Sequence, residues 1–314
     1  MQPPHTAHGT WPEIAPDRFA LTIARTPEPP SHARIALLGL PDDLGVRMNN
    51  GRPGAAQGPT AFRAALARFG ANWDAVHQRP LTPAVWDAGD VIPARGGDEK
   101  ALAETHQRVT DACLALHRAN LLVVCIGGGH DLTFPAVRAA SQSARRPMGG
   151  VSIDPHLDVR ETPGSGMAFR ALIEHGHLDP ASFTVLGAGR FANSDAHVQW
   201  LASRDGAIVP SELLQRDLLA SLAAALRRAG ESRFVSFDLD SLDAAYAPGV
   251  SAINPCGLTP SEAASLVRAV GADPRVTHFD LMELAPPHDE HARTARIAAF
   301  LFLSFLSGFT GRAE

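Results

Sequence analysis

Three short apolar segments of this chain are each followed by carboxylate or imidazole side chains. The segments are residues 121–126, 151–153 and 234–237, and their composition predicts buried β-strands. In open α/β sheets, ligand sites form where the carboxyl ends of the strands meet. The three segments therefore constrain both the fold and the position of a site. The ligand-type residues that follow them are His130, Asp154, His156, Asp158, Asp238 and Asp240.

The ligand-type residues that follow the second segment form a cluster, with Asp154, His156 and Asp158 at alternate positions. Alternate side chains of a strand point to the same face, so all three converge if the strand continues through the cluster. Grouped charges of this kind are costly to bury without a cation. Oxygen ligands with one imidazole suit Mn²⁺, Mg²⁺ or Zn²⁺ better than a soft metal. One such cluster is also typical of a polar loop after a strand, but three in one chain favour a metal site.

Strand-like and helix-like segments alternate along the chain. Residues 34–40 predict a first core strand, and residues 98–119 predict an amphipathic helix with Leu102, Val109 and Leu116 on one face. A helix is also predicted from Ser211 to Arg228. The alternation predicts an α/β fold with a mainly parallel sheet covered on both faces. No linker divides residues 1–314, so we expect a single domain. Residues 1–33 are expected to form an irregular N-terminal arm, with at most a short helix near Trp11 to Phe19.

Charge and composition exclude several classes of function. The formal net charge is −5 and there is no basic block, which argues against a nucleic-acid surface. No apolar run reaches 18 residues, which argues against a membrane span, and the first residues do not resemble a secretory signal. Cys113, Cys125 and Cys256 form no pattern and are expected to be free thiols in a reducing cytoplasm. Because Lys100 is the only lysine, a P-loop and Schiff-base chemistry are disfavoured.

A glycine-rich segment offers an interpretation from a different class. Residues 187–192 have the spacing G-x-G-x-x-A after a strand-like segment, which is typical of dinucleotide binding. The segment lies in the middle of the chain, and no clear second strand ending in an acidic residue follows about twenty residues later. An NAD-binding protein is therefore kept only as a remote alternative.

The quoted residues together resemble the ureohydrolase family, which includes arginases, agmatinases and formimidoylglutamases. The resemblance runs from about Arg34 to Leu303 and follows the family's order. It rests on Gly127-Gly128-Gly129-His130, on Asp154-Pro155-His156-Leu157-Asp158, on Asp238-Leu239-Asp240-Ser241-Leu242-Asp243, and on Glu283-Leu284-Ala285-Pro286.

The resemblance implies an arginase-like three-layer α/β/α domain, two Mn²⁺ per subunit and a homo-oligomer. One ion would be held by His130, Asp154, Asp158 and Asp238, and the other by Asp154, His156, Asp238 and Asp240. Asp158 and Glu283 would be catalytic: Asp158 would pass a proton, and Glu283 would bind the amidine or guanidine group of a small-molecule substrate. Asp243 is expected to lie outside the ligand set.

Within the family, residues 45–55, 129–131, 165–170 and 248–252 are most similar to the formimidoylglutamase pattern. This branch hydrolyses the formimidoyl C–N bond of N-formimidoyl-L-glutamate to glutamate and formamide, in histidine degradation. Pro155 and Met167-Ala168 depart from the pattern. The alternatives are an agmatinase or other guanidino-acid hydrolase that releases urea, and a catalytically silent family member.

The expected substrate carries two carboxylates and needs cations. Arginine pairs with carboxylates in bidentate geometry, which makes Arg170, Arg160 and Arg52 candidates. Arg170 is favoured because it lies in the family's substrate-type segment, which also contains Ser165. Asn50 is a further candidate substrate contact, although a turn-stabilising role is equally compatible with an asparagine in this loop.

Overall fold

A nine-stranded sheet forms the centre of the computed structural model, which describes residues 2–70, 72–82 and 84–312. Its strand order is β1-β5-β2-β6-β11-β10-β7-β8-β9, and β3 and β4 form a separate two-stranded ribbon. The strands are β1 (Thr6–Ala7), β2 (Ile35–Leu40), β3 (Trp73–Asp74), β4 (Arg79–Pro80), β5 (Val85–Val91), β6 (Leu122–Gly127), β7 (Met148–Ile153), β8 (Leu178–Ala188), β9 (Ala207–Pro210), β10 (Arg233–Asp238) and β11 (Val276–Met282).

The main sheet is parallel except for β1, which pairs with β5 in the antiparallel direction. Every residue of β2, β6, β7 and β10 is buried, as expected for strands covered on both faces. The neighbours β6, β11, β10 and β7 place the ends of the three predicted ligand segments at one edge.

Helices cover both faces of the sheet. α2, α7, α8, α9 and α10 contribute to the core on one face, and α3, α4, α5 and α6 to the core on the other. The three-layer α/β/α fold is therefore confirmed. The helices are α1 (Leu44–Met48), α2 (Gly58–Leu66), α3 (Glu99–Arg118), α4 (Thr133–Ala144), α5 (Ala168–Glu174), α6 (Asp195–Ala202), α7 (Ser211–Arg216), α8 (Leu218–Arg228), α9 (Pro260–Ala272) and α10 (Arg293–Phe309).

The predicted continuous helix from Ser211 to Arg228 is wrong, because Asp217 separates α7 from α8. Asp217 has φ −153° and ψ 86°, and its side chain accepts a hydrogen bond from the Ala220 amide. A short acidic side chain competes for backbone amides in this way, which favours a helix start over a helix interior. The sequence pattern also does not predict α6.

The N-terminal arm is mostly irregular but packs against the sheet. Its strand β1 adds an edge to β5, and the Trp11 indole donates a hydrogen bond to the Asp87 carboxylate at 2.6 Å. The short helix expected near Trp11 to Phe19 is wrong; a single 3-10 turn spans Phe19–Thr22 instead. Pro12 and Pro16 lie in the expected helix, and proline inside a helix removes an amide donor. Among the described residues, no helix has the length and apolarity needed to cross a membrane.

Candidate metal centre

The loop after β7 carries three of the predicted ligands. β7 ends at Ile153, so the strand does not continue through Asp158 and the condition for convergence by strand alternation is not met. Instead the chain turns: the His156 amide donates to Asp154 Oδ1 at 2.6 Å, and Asp158 has a positive φ of 47°. This turn still directs Asp154, His156 and Asp158 to the same site, through loop geometry and not through the alternation of side chains along a strand.

Pro155 fits this turn. Its carbonyl accepts hydrogen bonds from the Gly189 amide and from Asn193 Nδ2, both at 2.8 Å. Asn193 Oδ1 in turn accepts from the Leu157 amide at 2.9 Å. The segment after β8 thus holds the ligand loop, and the missing amide of Pro155 leaves this arrangement intact.

The first ligand group surrounds the imidazole of His130, which follows β6. His130 Nδ1 lies 3.1 Å from Asp154 Oδ2, 2.9 Å from Asp158 Oδ2 and 3.0 Å from Asp238 Oδ2. Asp154 and Asp158 come from the loop after β7, and Asp238 ends β10. Three sheet segments that are distant in sequence therefore place four ligand atoms around one point.

The second ligand group shares Asp154 with the first. His156 Nδ1 lies 3.4 Å from Asp154 Oδ1 and 3.2 Å from Asp240 Oδ2. The two carboxylate oxygens of Asp154 thus face different groups. Asp238 lies next to Asp240, whose amide it binds through Oδ1 at 2.8 Å. The structure brings together all six residues that the sequence nominates as ligands, in two adjoining groups.

The chemistry of this donor set fits divalent cations. His130 Nδ1, Asp154 Oδ2 and Asp240 Oδ1 are buried and have no hydrogen-bond partner among the described residues. Buried carboxylates without compensating charge are unfavourable, so the arrangement requires positive charge at its centre. Aspartate oxygens with imidazole nitrogens are ligands that Mn²⁺ and similar ions accept.

The pKa values of the metal-free site show how strongly these groups interact. Burial opposes charge on His156, but Asp240 and Asp154 outweigh it and raise the pKa of His156 to about 12. Burial likewise opposes charge on Asp154, but the neighbouring imidazoles of His130 and His156 outweigh it and lower its pKa to about 2. Burial and the charge of Asp238 raise the pKa of Asp240 well above its usual range. Protons thus supply the positive charge of the metal-free site.

The outer nitrogen of His130 is held by a buried polar chain that the sequence did not reveal. His130 Nε2 donates to Ser236 Oγ at 2.8 Å, and this hydroxyl donates to Asp280. Asp280 also accepts from Thr133 Oγ1 at 3.1 Å. A donor at Nε2 leaves Nδ1 with the lone pair that a metal ligand needs. Ser236 and Asp280 lie within apolar strands, and only the fold shows that they face His130.

Glu283 lies just beyond β11, at the edge of the first ligand group. Its Oε1 accepts a hydrogen bond from the His130 amide at 2.7 Å, whereas the buried Oε2 makes no well-formed hydrogen bond among the described residues, although Ser251 lies beside the carboxylate. Its backbone has φ 68°, and burial together with the charge of Asp238 raises its pKa to about 8. The position therefore offers one free carboxylate oxygen beside the ligands.

The polar loop residues Asn49 and Ser165 bind each other. With its amide oriented to satisfy both partners, the Asn49 oxygen accepts from the Ser165 hydroxyl at 3.2 Å and from the Gly166 amide at 2.7 Å. Asn50 is exposed, with φ 56°, at the end of α1. Asn49 thus joins two loops at this edge of the sheet, and Asn50 is not part of either ligand group.

The candidate arginines differ in their surroundings. Arg170 binds Glu174 at 2.8 Å and its guanidinium lies 4.9 Å from the ring centre of Trp200. Arg52 donates to the backbone carbonyls of Pro248 and Val250. Arg160 is exposed and has no ion pair among the described residues. Arg52 therefore stabilises a loop, and Arg160 is the least engaged of the three.

A cavity of about 610 Å³ adjoins the second ligand group. The residues that line it include His156, Arg190, Glu212 and Asn254.

Gly189 and Arg190 belong to the segment with dinucleotide-like spacing. Such a fingerprint places phosphates at a helix N-terminus directly after the glycines. Here α6 begins only at Asp195, and the Gly189 amide binds Pro155 instead, so this geometry does not fit the NAD-binding interpretation.

Comparison with known proteins gives consistent matches over nearly the whole chain. The Arginase family model matches residues 33–308. Formimidoylglutamase of Halobacterium salinarum is 35% identical over 291 residues, which cover 90% of each chain. Formimidoylglutamase of Geobacillus thermodenitrificans is 33% identical over 305 residues, covering 93% of this chain and 89% of the relative. The crystal structure of Trypanosoma cruzi formiminoglutamase with Mn²⁺₂ superposes with a TM-score of 0.88 at 29% identity, covering 95% of this chain and 100% of the other.

Proposed function

The chain belongs to the arginase family, and on that premise we propose that it is a binuclear manganese hydrolase of N-formimidoyl-L-glutamate. The products are glutamate and formamide. The observation that carries the proposal is the pair of ligand groups that share Asp154. The names of the relatives and the Mn²⁺₂ of the similar structure support the substrate and the metal.

In this proposal, His130, Asp154, Asp158 and Asp238 would hold the first ion, and Asp154, His156, Asp238 and Asp240 would hold the second. Divalent ions, when bound, supply the Lewis acidity that makes water nucleophilic near neutral pH. The chain's own groups orient the substrate and move the proton.

Glu283 is the proposed acceptor for the amidine N–H groups. Its Oε1 is already occupied by the His130 amide, and its buried Oε2, beside Ser251, makes no well-formed hydrogen bond among the described residues. Cations bound nearby would keep Glu283 ionised despite its raised pKa, and its carboxylate would then bind the amidine N–H groups and orient the carbon for attack.

Asp158 is the proposed proton carrier. Its carboxylate is 12% exposed, more than those of Asp154 and Asp238 in the same group, so it faces the open side of the centre. Water oxygen bonds to the formimidoyl carbon, and the bond from that carbon to the glutamate nitrogen breaks. Asp158 carries one proton of the water to the departing nitrogen, and the second water proton leaves the oxygen as the carbonyl group of formamide forms and is taken up by the amine product.

The substrate carboxylates require cations near the centre. We propose Arg160 for this role, since its guanidinium has no competing ion pair among the described residues. Arg170 can bind a substrate carboxylate only if its guanidinium gives up the ion pair with Glu174 and the contact with the Trp200 ring. Ser165 contributes by holding its loop against Asn49, and Asn50 presents an exposed amide at the same edge.

We further propose that the chain acts as a single catalytic domain, as a homo-oligomer, in the cytoplasm.

One assay tests the function directly. The manganese-loaded protein is incubated separately with formimidoylglutamate, agmatine, arginine and 4-guanidinobutyrate, and formamide and urea are measured. We expect formamide from formimidoylglutamate and little urea from the guanidino compounds. Urea release as the dominant activity would replace this proposal with a guanidino hydrolase, and no turnover of any substrate would indicate a catalytically silent protein.

A further inference from the structure

The cavity beside His156 contains a cation that the residues predicted for substrate binding do not include. Among the described residues that line this cavity, Arg190 is the only lysine or arginine. Arg52, Arg160 and Arg170 do not line it. Its volume of about 610 Å³ lies within the range of small-molecule sites. A metal ligand and an arginine thus lie on the wall of one cavity large enough for an amino-acid derivative.

The loop that carries Arg190 is fixed relative to the metal centre. The Gly189 amide and the Asn193 side chain both donate to the Pro155 carbonyl, one residue before His156. Arg190 therefore projects from a segment whose flanks are attached to the ligand loop. Such attachment keeps a recognition group at a defined separation from the reacting centre, which substrate positioning requires.

The present partner of Arg190 is Glu212 at the start of α7. Arg190 Nε lies 3.3 Å from Glu212 Oε1, and both side chains are largely exposed, at 72% and 46%. Exposed ion pairs of this kind contribute little to stability. Glu212 also lines the cavity, so a carboxylate that enters it competes with Glu212 for the same guanidinium.

We propose that Arg190 binds a carboxylate of the substrate in this cavity, and that Glu212 is the anion that the substrate displaces. The segment of residues 187–192, whose spacing imitates a dinucleotide fingerprint, is then a specificity loop that selects acidic amidines. This inference rests on the proposed hydrolase function and deepens it, because it assigns the recognition of the acid group to a particular side chain.

Two single substitutions separate recognition from a structural role. Arg190→Gln removes the cation and is expected to raise KM for formimidoylglutamate about tenfold, with kcat and manganese content little changed. Glu212→Gln removes the competing anion and is expected to lower KM two- to threefold. If Arg190 and Glu212 form only a structural pair, the two substitutions act in the same direction. Equal effects of the same sign would overturn the inference.

The matched control is Arg216→Gln, which removes an exposed arginine of α7 that does not line the cavity. It is expected to leave KM unchanged. A rise in KM equal to that of Arg190→Gln would show a general charge effect and would also overturn the inference.

A binding measurement keeps this test independent of turnover. Calorimetric titration of L-glutamate into the manganese-loaded proteins is expected to give weaker binding for Arg190→Gln than for the unsubstituted chain, and tighter binding for Glu212→Gln. Unchanged glutamate affinity in Arg190→Gln would reject the role of Arg190 while leaving the hydrolase proposal intact. Absence of turnover with formimidoylglutamate, together with arginine-dependent glutamate binding, would reject the hydrolase proposal and retain the carboxylate site.

Discussion

At the residue scale, Asp154 is the position on which both ligand groups depend. Its Oδ2 faces His130 and its Oδ1 faces His156, at 3.1 and 3.4 Å. Asp154→Asn removes the charge and one oxygen ligand, so we expect the manganese affinity of both groups to fall by at least about 100-fold, with loss of activity. Metal content after dialysis measures this. Asp243→Asn is the control and should retain metal, because within the described part of the chain the Asp243 side chain accepts hydrogen bonds only from the loop amides of Ala245 and Gly257.

Glu283 provides a contrasting prediction at the same scale. Glu283→Gln keeps an oxygen for the His130 amide but removes the negative charge proposed to bind the amidine. We expect kcat/KM to fall by about 100-fold or more while both ions remain bound. Steady-state kinetics on protein of measured metal content tests this. Loss of manganese comparable to that of Asp154→Asn would show that Glu283 maintains the metal centre instead.

At the scale of elements, strands other than the one that precedes a ligand can supply its support, as β10 and β11 do for His130 after β6. Asp280 in β11 and Ser236 in β10 connect to His130 Nε2 through buried hydrogen bonds. Asp280→Asn should weaken manganese binding about 10- to 100-fold, because the acceptor that orients Ser236 and His130 is lost. Titration with Mn²⁺ measures the effect. Asp179→Asn on β8 is the matched control, because the Asp179 side chain binds only Ala181 and Ser182 among the residues that the structure describes. An unchanged affinity in Asp280→Asn would contradict the supporting role.

The elements also show what the sequence could predict. Apolar runs specify β6, β7 and β10 because each is buried on both faces, and the ligands follow directly from the strand ends. The supporting role of Asp280 could not be predicted from the sequence. The partner of a buried carboxylate in a strand is known only when the neighbouring strand is known. Arg170 was favoured by its family segment, although Glu174 lies four residues later, where a helical ion pair forms. Arg190 lies within residues 187–192, whose G-x-G-x-x-A spacing is typical of dinucleotide-binding proteins, so the sequence did not suggest it as a substrate contact.

At the scale of the whole molecule, metal binding, protonation and stability are linked. Without cations, Asp158, Asp154 and Asp238 outweigh burial and raise the pKa of His130 well above its usual range, and Asp240 and Asp154 raise that of His156 to about 12. Both imidazoles therefore carry protons at pH 7, and a metal ion must displace them. Each proton released makes the apparent affinity rise about tenfold per pH unit.

We therefore expect manganese affinity to rise steeply between pH 6 and pH 8, with proton release visible as a dependence of the calorimetric heat on buffer ionisation. Because the ions bind the folded chain, they also stabilise it, by about 2.7 kcal/mol when free metal is 100 times its dissociation constant. The manganese-dependent increase in Tm should consequently be smaller at pH 6 than at pH 8. His156→Asn, which lacks one titrating ligand, should flatten the pH dependence. An increase in Tm that is equal at both pH values would show that protons do not compete with the metal at this centre.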